Sequence, residues 1–143
     1  MHRNSLKTLT YSKTCKSASE AALEMGLHVS QLQKSLLIKS KNRFVLTLLS
    51  SDKKLNFEAI HNLYGESFEM ATLAEVIQVT GHHIGVVSPL DLKQNIDILL
   101  DKKSLRFDVV GVGSGIRGKE IIISPNELLE NTQLNINTHD ISN

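Results

Sequence analysis

Thr80-Gly81-His82-His83-Ile84-Gly85-Val86-Val87-Ser88-Pro89-Leu90 packs two glycines, two histidines and one of the chain's two prolines into one stretch behind a helical-looking segment. Glycine opens backbone angles closed to other residues and lets another molecule approach the main chain. Pro89 fixes its own φ and holds Ser88 extended. With Ile84, Val86 and Val87 apolar, the stretch is more than a polar connector. It reads as a rigid shelf of backbone N–H groups, and the remaining chain reads as the scaffold that holds it.

Upstream, Thr72-Leu-Ala-Glu75 forms a capping box that opens a helix running to about residue 79. Before it, the spacing predicts a short strand over 67–70 and an amphipathic helix over 56–64 closed by Gly65, with Phe57, Ile60, Leu63 and Tyr64 facing inward. Lys34-Ser-Leu-Leu-Ile-Lys39 and Phe44-Val-Leu-Thr-Leu-Leu49 flank a polar Lys41-Asn42 turn and read as a β-hairpin. Ser17 as N-cap and Glu20 at N3 open a helix over 18–25, which Gly26 ends. A short turn spans 28–33, and 5–11 reads as a weak edge strand. Downstream follow a strand over 95–100, a helical turn over 101–106, and a hairpin of 107–112 with 119–123 around Gly113-Ser-Gly-Ile-Arg-Gly118. Ser124-Pro125-Asn126-Glu127 starts a last helix. From Asn131 the chain turns polar and rich in Asn and Thr, which predicts a frayed tail over 131–143 after one α+β domain over 1–130.

A chain of 143 residues with 41% hydrophobic and 22% charged content can bury the core of one ordinary globular domain. Sixteen Lys+Arg against fifteen Asp+Glu leave a formal charge of +1, so no bulk positive charge announces nucleic acid. A local patch remains open, because steering depends on where charges sit. The single Cys15 excludes an internal disulfide framework and suits a reducing cytosol. No apolar run reaches the roughly 18–20 residues of a membrane span, and the N-terminal residues lack a secretory h-region. A cytoplasmic protein, with oligomeric state open, is the expectation.

Few side chains stand in a pattern that marks a reactive group. His82 and His83 are adjacent and cannot share one face as metal ligands, so solvated or hydrogen-bonded loop histidines are favoured over zinc. The 111–118 glycine run lacks the following helix that a dinucleotide fingerprint needs, and reads as a hairpin turn with Arg117 as a phosphate contact. Cys15 reads as a small buried hydrophobe, and Ser88 lacks a nucleophile elbow. Lys34, at the mouth of an apolar run, is placed either to reach a phosphate or carboxylate or simply to discourage edge pairing. Neither metal nor cofactor is expected.

Gln33-Lys34-Ser35-Leu36-Leu37, Thr80-Gly81 with Ile84-Gly85-Val86-Val87-Ser88-Pro89, and Gly115-Ile-Arg117-Gly118 before Glu120-Ile121 together resemble the YbaK-like aminoacyl-tRNA deacylases. These are the free-standing relatives of the editing domain of bacterial prolyl-tRNA synthetases. The similarity runs in order from about Thr14 to Leu129. It implies an α+β fold with flanking helices around a curved, mostly antiparallel or mixed sheet. It also implies hydrolysis of the ester joining a wrong amino acid to the 3′ end of tRNA, commonly tRNA(Pro). By the same resemblance Lys34 lies near the terminal adenosine, and the loop from Gly85 through Ser88 to Pro89 positions the scissile carbonyl. Val86, Val87, Gly115, Arg117 and Glu120 surround the substrate. An activated ester yields to positioning and N–H donors aimed at the oxyanion, without metal or strong side-chain nucleophile.

The sequence departs from the family pattern in three places: Val86 stands where close relatives often carry glycine, the first strand lacks a preceding helix, and Thr14-Cys15-Lys16-Ser17 approaches the Ser-Thr-Arg-Thr pattern of a Ser/Thr-acting sister group. Ala, Cys, Ser and Thr all stay open as the charged amino acid. A non-catalytic aminoacyl-tRNA or nucleotide-binding module of the same fold is the alternative. Aminoacyl-tRNA is the expected partner, an aminoacyl-tRNA synthetase an optional second one, and a membrane none. Lys16, Lys34, Lys39, Lys41, Arg43 and Arg117 are candidates for one basic rim.

Overall fold

The hairpin of β2 (Gln33–Lys39) and β3 (Phe44–Ser50) is the centre of a computed structural model that describes residues 6–143. Its register runs from Gln33 opposite Ser50 to Lys39 opposite Phe44. β3 is buried at every position from Val45 to Ser50 because both faces of the sheet are covered. On one face Leu37, Leu46, Leu48, Ile98 and Leu100 pack with Val76 and Val79 of α3 (Leu73–Thr80) and with Val87 of the shelf. On the other, Ile38, Val45 and Leu99 meet Ile60 of α2 (Phe57–Tyr64) and Ile141. This is the alternation a two-sided strand requires.

The five-stranded mixed sheet has the order β4-β2-β3-β5-β8, with β4 at Glu69–Met70, β5 at Asp97–Asp101 and β8 at Asn135–His139. A second, antiparallel sheet is ordered β1-β7-β6, from β1 (Lys7–Thr10), β6 (Val110–Gly113) and β7 (Lys119–Ile123). An isolated parallel bridge between Leu32 and Gly111 joins the two. The approach is close, since a Cβ on residue 111 would stand 2.8 Å from Leu32 Cδ2 and push that side-chain tip aside. The expected single α+β domain with mixed sheet and flanking helices therefore forms around two sheets, and the crease between them is where the site lies.

The capping signals hold. Ser17 and Thr72 accept N–H bonds at the starts of α1 (Ala18–Met25) and α3, and Ser124 does so for α4 (Pro125–Leu129). Glu20 reaches one residue further back than a capping box would, accepting from Lys16 N–H at 3.1 Å.

Three expectations need correction. The 131–143 segment is no frayed tail: β8 pairs in parallel with β5 from Asn135 opposite Asp97 to His139 opposite Asp101, and Ile141 is 1% exposed. Its polar residues are consumed by structure, with Asn135 bonded to Asp97, Ser142 to Asp101 and Lys103 to Asp140. α2 buries only Ile60, while Phe57 and Leu63 are 36% and 40% exposed, because a two-turn helix meets the sheet along the Ile60–Tyr64 stripe. β6 starts at Val110 rather than 107, since Phe107 N–H turns back to Ser104 O and closes a 3-10 turn over Lys102–Arg106. The predicted 5–11 edge strand is β1, and its Ser5 lies outside the described residues. Among the described residues no helix is long and apolar enough to cross a membrane.

Candidate active site

α3 ends at Gly81 (φ 81°), and from there the chain runs without regular structure to β5. Hydrogen bonds make that run stiff. Thr80 Oγ1 donates to Val76 O at 2.7 Å and accepts from His82 N–H at 3.1 Å, and the returning chain hooks onto the helix end through Lys93 N–H to Thr80 O and Gln94 N–H to Val79 O. His82 Nε2 lies 2.7 Å from Asp91 O and staples the loop across its width. Ser88 Oγ accepts from Leu90 N–H, and Asp91 N–H donates to Ser88 O.

The shelf is fastened to the β6–β7 hairpin as well. Gly115 N–H donates to Val86 O at 2.8 Å, and the His82 ring lies where a Cβ on Gly115 would be, 2.7 Å away. A Cβ on Gly113 would meet Val87 O at 2.1 Å, so glycine alone allows this approach of two backbones. Gly85 differs: it is exposed, has φ 90°, and nothing lies within 4 Å of an added Cβ. Among the described residues its N–H has no hydrogen-bond partner.

A cavity of about 360 Å³ opens in the crease between the sheets. Five of the nine expected site residues line it: Lys34, Gly85, Val87, Arg117 and Glu120. Ser88 and Pro89 are buried behind the loop, and neither they, Val86 nor Gly115 reaches the cavity wall. Val86 and Ser88 instead hold the shelf together through their bonds to Gly115 N–H, Leu90 N–H and Asp91 N–H. Tyr11, Cys15, Lys16, Ala18, Ala21 and Leu32 also line the cavity, with Ser35 and Leu36 on β2.

The electrostatics of the cavity are unbalanced. Lys34 stands half-buried opposite Leu49 and, among the described residues, has no ion-pair partner. Glu120 also lacks one, and burial pushes its carboxyl up to about 7. Arg117 lines the cavity but spends donors on main chain, with Nε to Lys13 O at 3.1 Å and Nη2 to Cys15 O at 3.4 Å. Cys15 Sγ donates to Glu24 Oε2 at 3.0 Å, and that hydrogen bond raises the thiol while lowering the carboxyl. A thiol held protonated is a poor nucleophile.

Ser35 is the residue that sequence reasoning passed over. Its Oγ is the buried side-chain polar atom that, among the described residues, has no hydrogen-bond partner, and it belongs to the cavity lining. Its place beside Lys34 was the available signal. The single basic rim does not form: Lys16, Lys34 and Arg117 share the cavity, whereas Lys39 pairs with Glu75 and Arg43 with Glu66, each at 2.9 Å, toward the far end of the hairpin. Among the described residues no three of His, Cys, Asp and Glu gather around a metal-sized space.

Comparison with known proteins gives this arrangement a context. The aminoacyl-tRNA editing domain family matches residues 12–130. Protein YwhH of Bacillus subtilis (strain 168) is 30% identical over 112 residues, covering 78% of this chain and 71% of that protein. A proline–tRNA ligase of Bacillus licheniformis is 35% identical over 92 residues, which are 64% of this chain but 16% of the ligase. A crystal structure of a candidate trans-editing enzyme for prolyl tRNA synthetase superposes with a TM-score of 0.89 at 28% identity, over 96% of this chain and 87% of that one.

Proposed function

The chain belongs to the aminoacyl-tRNA editing domain family, and from that premise we propose that it deacylates mischarged aminoacyl-tRNA in trans. The substrate is tRNA(Pro), or another tRNA, carrying a small wrong amino acid such as Ala, Cys, Ser or Thr. The observation that supports this reading best is the meeting of Lys34 and the Gly85 backbone in one cavity. The Gly85 N–H, which has no partner among the described residues, is available to the oxyanion that forms when the ester carbonyl is attacked. Lys34 neutralises charge on the terminal nucleotide, and water or a hydroxyl of the substrate is the nucleophile. Val87, Arg117 and Glu120 line the cavity that takes the substrate, while Val86, Ser88, Pro89 and Gly115 keep the shelf in place. Discrimination by exclusion of the larger cognate amino acid follows double-sieve logic. The partner is aminoacyl-tRNA, a synthetase helps to deliver it, and the compartment is the cytoplasm.

A panel of tRNA(Pro) charged with Ala, Cys, Ser or Thr tests the proposal. Release of at least one amino acid well above the spontaneous rate is expected, with Lys34→Ala lowering kcat/KM by about 10²-fold at unchanged thermal stability. Binding without release across this panel and a wider mischarged one would replace the hydrolase with a binding module.

A further inference from the structure

The 12–17 segment has a backbone that is held from both sides. Arg117 takes the carbonyls of Lys13 and Cys15, Glu24 takes Ser12 N–H at 2.7 Å, Glu20 takes Lys16 N–H, and Tyr11 N–H donates to Gly118 O at 2.9 Å. Cys15 is the one side chain of the segment turned into the core. Lys13, Thr14, Lys16 and Ser17 are all exposed, and Lys16 and Ser17 line the cavity. Neither lysine has an ion-pair partner among the described residues, and the two carboxylates nearest in sequence, Glu20 and Glu24, accept bonds from the segment's own main chain. A rigid main chain that keeps one small residue inside and turns two unneutralised cations outward, one of them lining the cavity, is suited to a polyanionic strand.

We propose that this segment is the RNA-backbone contact of the site: Lys13 and Lys16 hold phosphates of the nucleotides that precede the acylated adenosine. Arg117 is a positioning residue that sets the segment in place, rather than a phosphate contact of its own. The proposal rests on the aminoacyl-tRNA reading for the identity of the strand. It goes beyond that reading in assigning which cations carry the affinity.

The test is binding of a fluorescently labelled, uncharged acceptor-stem RNA with a single-stranded 3′ end, measured by anisotropy over a salt series. Because binding is read without turnover, a protein that binds but never hydrolyses would sink the deacylase reading and leave this one intact. Lys13→Gln with Lys16→Gln is expected to weaken binding about tenfold and to lower the slope of log K against log salt by about 1.4, two contacts at ~0.7 each for a single strand. Lys41→Gln, in the turn at the far end of the hairpin, changes neither. Arg117→Lys keeps the charge but cannot span two carbonyls, so the slope falls there too. A double variant with wild-type affinity and slope overturns the phosphate contact, and an unchanged slope in Arg117→Lys overturns its positioning role.

Discussion

Glu120 is the residue whose environment makes the sharpest demand. Its carboxyl is raised to about 7 by burial, so near neutrality the folded protein binds a proton that the unfolded chain has already released. Stability falls with pH wherever the folded state holds more protons. The contribution is therefore fully present below about 4.5 and lost as pH rises through about 7. Glu120→Gln cannot ionise, and melting curves over pH 4 to 8.5 are expected to show its Tm gaining on wild type through that window and then levelling off. A constant difference would mean the carboxyl is solvated. In the same variant, an inflection near pH 7 in wild-type deacylation should disappear if the ionised form takes part in substrate binding. Lys34, which lines the same cavity, illustrates the limit of sequence reading at this scale. Its position at a strand mouth fits an edge guard and a ligand contact equally well, and only the fold brings Glu120 and Gly85 to the same cavity.

Among the elements, the shelf depends on how closely its backbone approaches β6. Gly113→Ala would drive a Cβ to 2.1 Å from the Val87 carbonyl, where no flexible side chain can give way. Urea denaturation should show a loss of about 2 kcal/mol or more. Gly26→Ala, with left-handed φ but nothing within 4 Å, should lose only about 1 kcal/mol. Strand β8 offers the second element test. Ile141 is buried against Ile38, Val45, Ile60 and Leu99, so Ile141→Ala should cost about 2–4 kcal/mol, whereas a frayed tail would leave stability unchanged. This strand was illegible in the sequence because its polar residues are spent on specific partners, Asp97 and Asp101 among them, and composition alone cannot tell a paired Asn from a solvated one. Helix ends were legible because caps act over three or four residues. Ser17, Thr72 and Ser124 each do the local work that their spacing predicted.

For the whole molecule, two sheets meet along a crease that no local pattern announces. The Leu32–Gly111 bridge and the Gly115–Val86 bond join residues far apart in the chain, and with them the Lys34 strand, the shelf and the β6–β7 turn become one cavity. The ordered motifs pointed to the residues concerned, but the lining around Cys15 and the orphan hydroxyl of Ser35 emerged only from the assembled fold. The family match over residues 12–130 covers every part of that cavity except Tyr11. The proposed function sets an aminoacyl ester between Lys34 and the Gly85 main chain. The most direct measurement is an amide chemical-shift titration with a non-hydrolysable 3′-amide analogue of aminoacyl-adenosine. A saturable downfield shift of the Gly85 N–H is expected, with accompanying changes at Lys34 and Glu120. A silent Gly85 amide, with the shifts gathered instead around the separate cleft between residues 90–96 and 131–135, would contradict it.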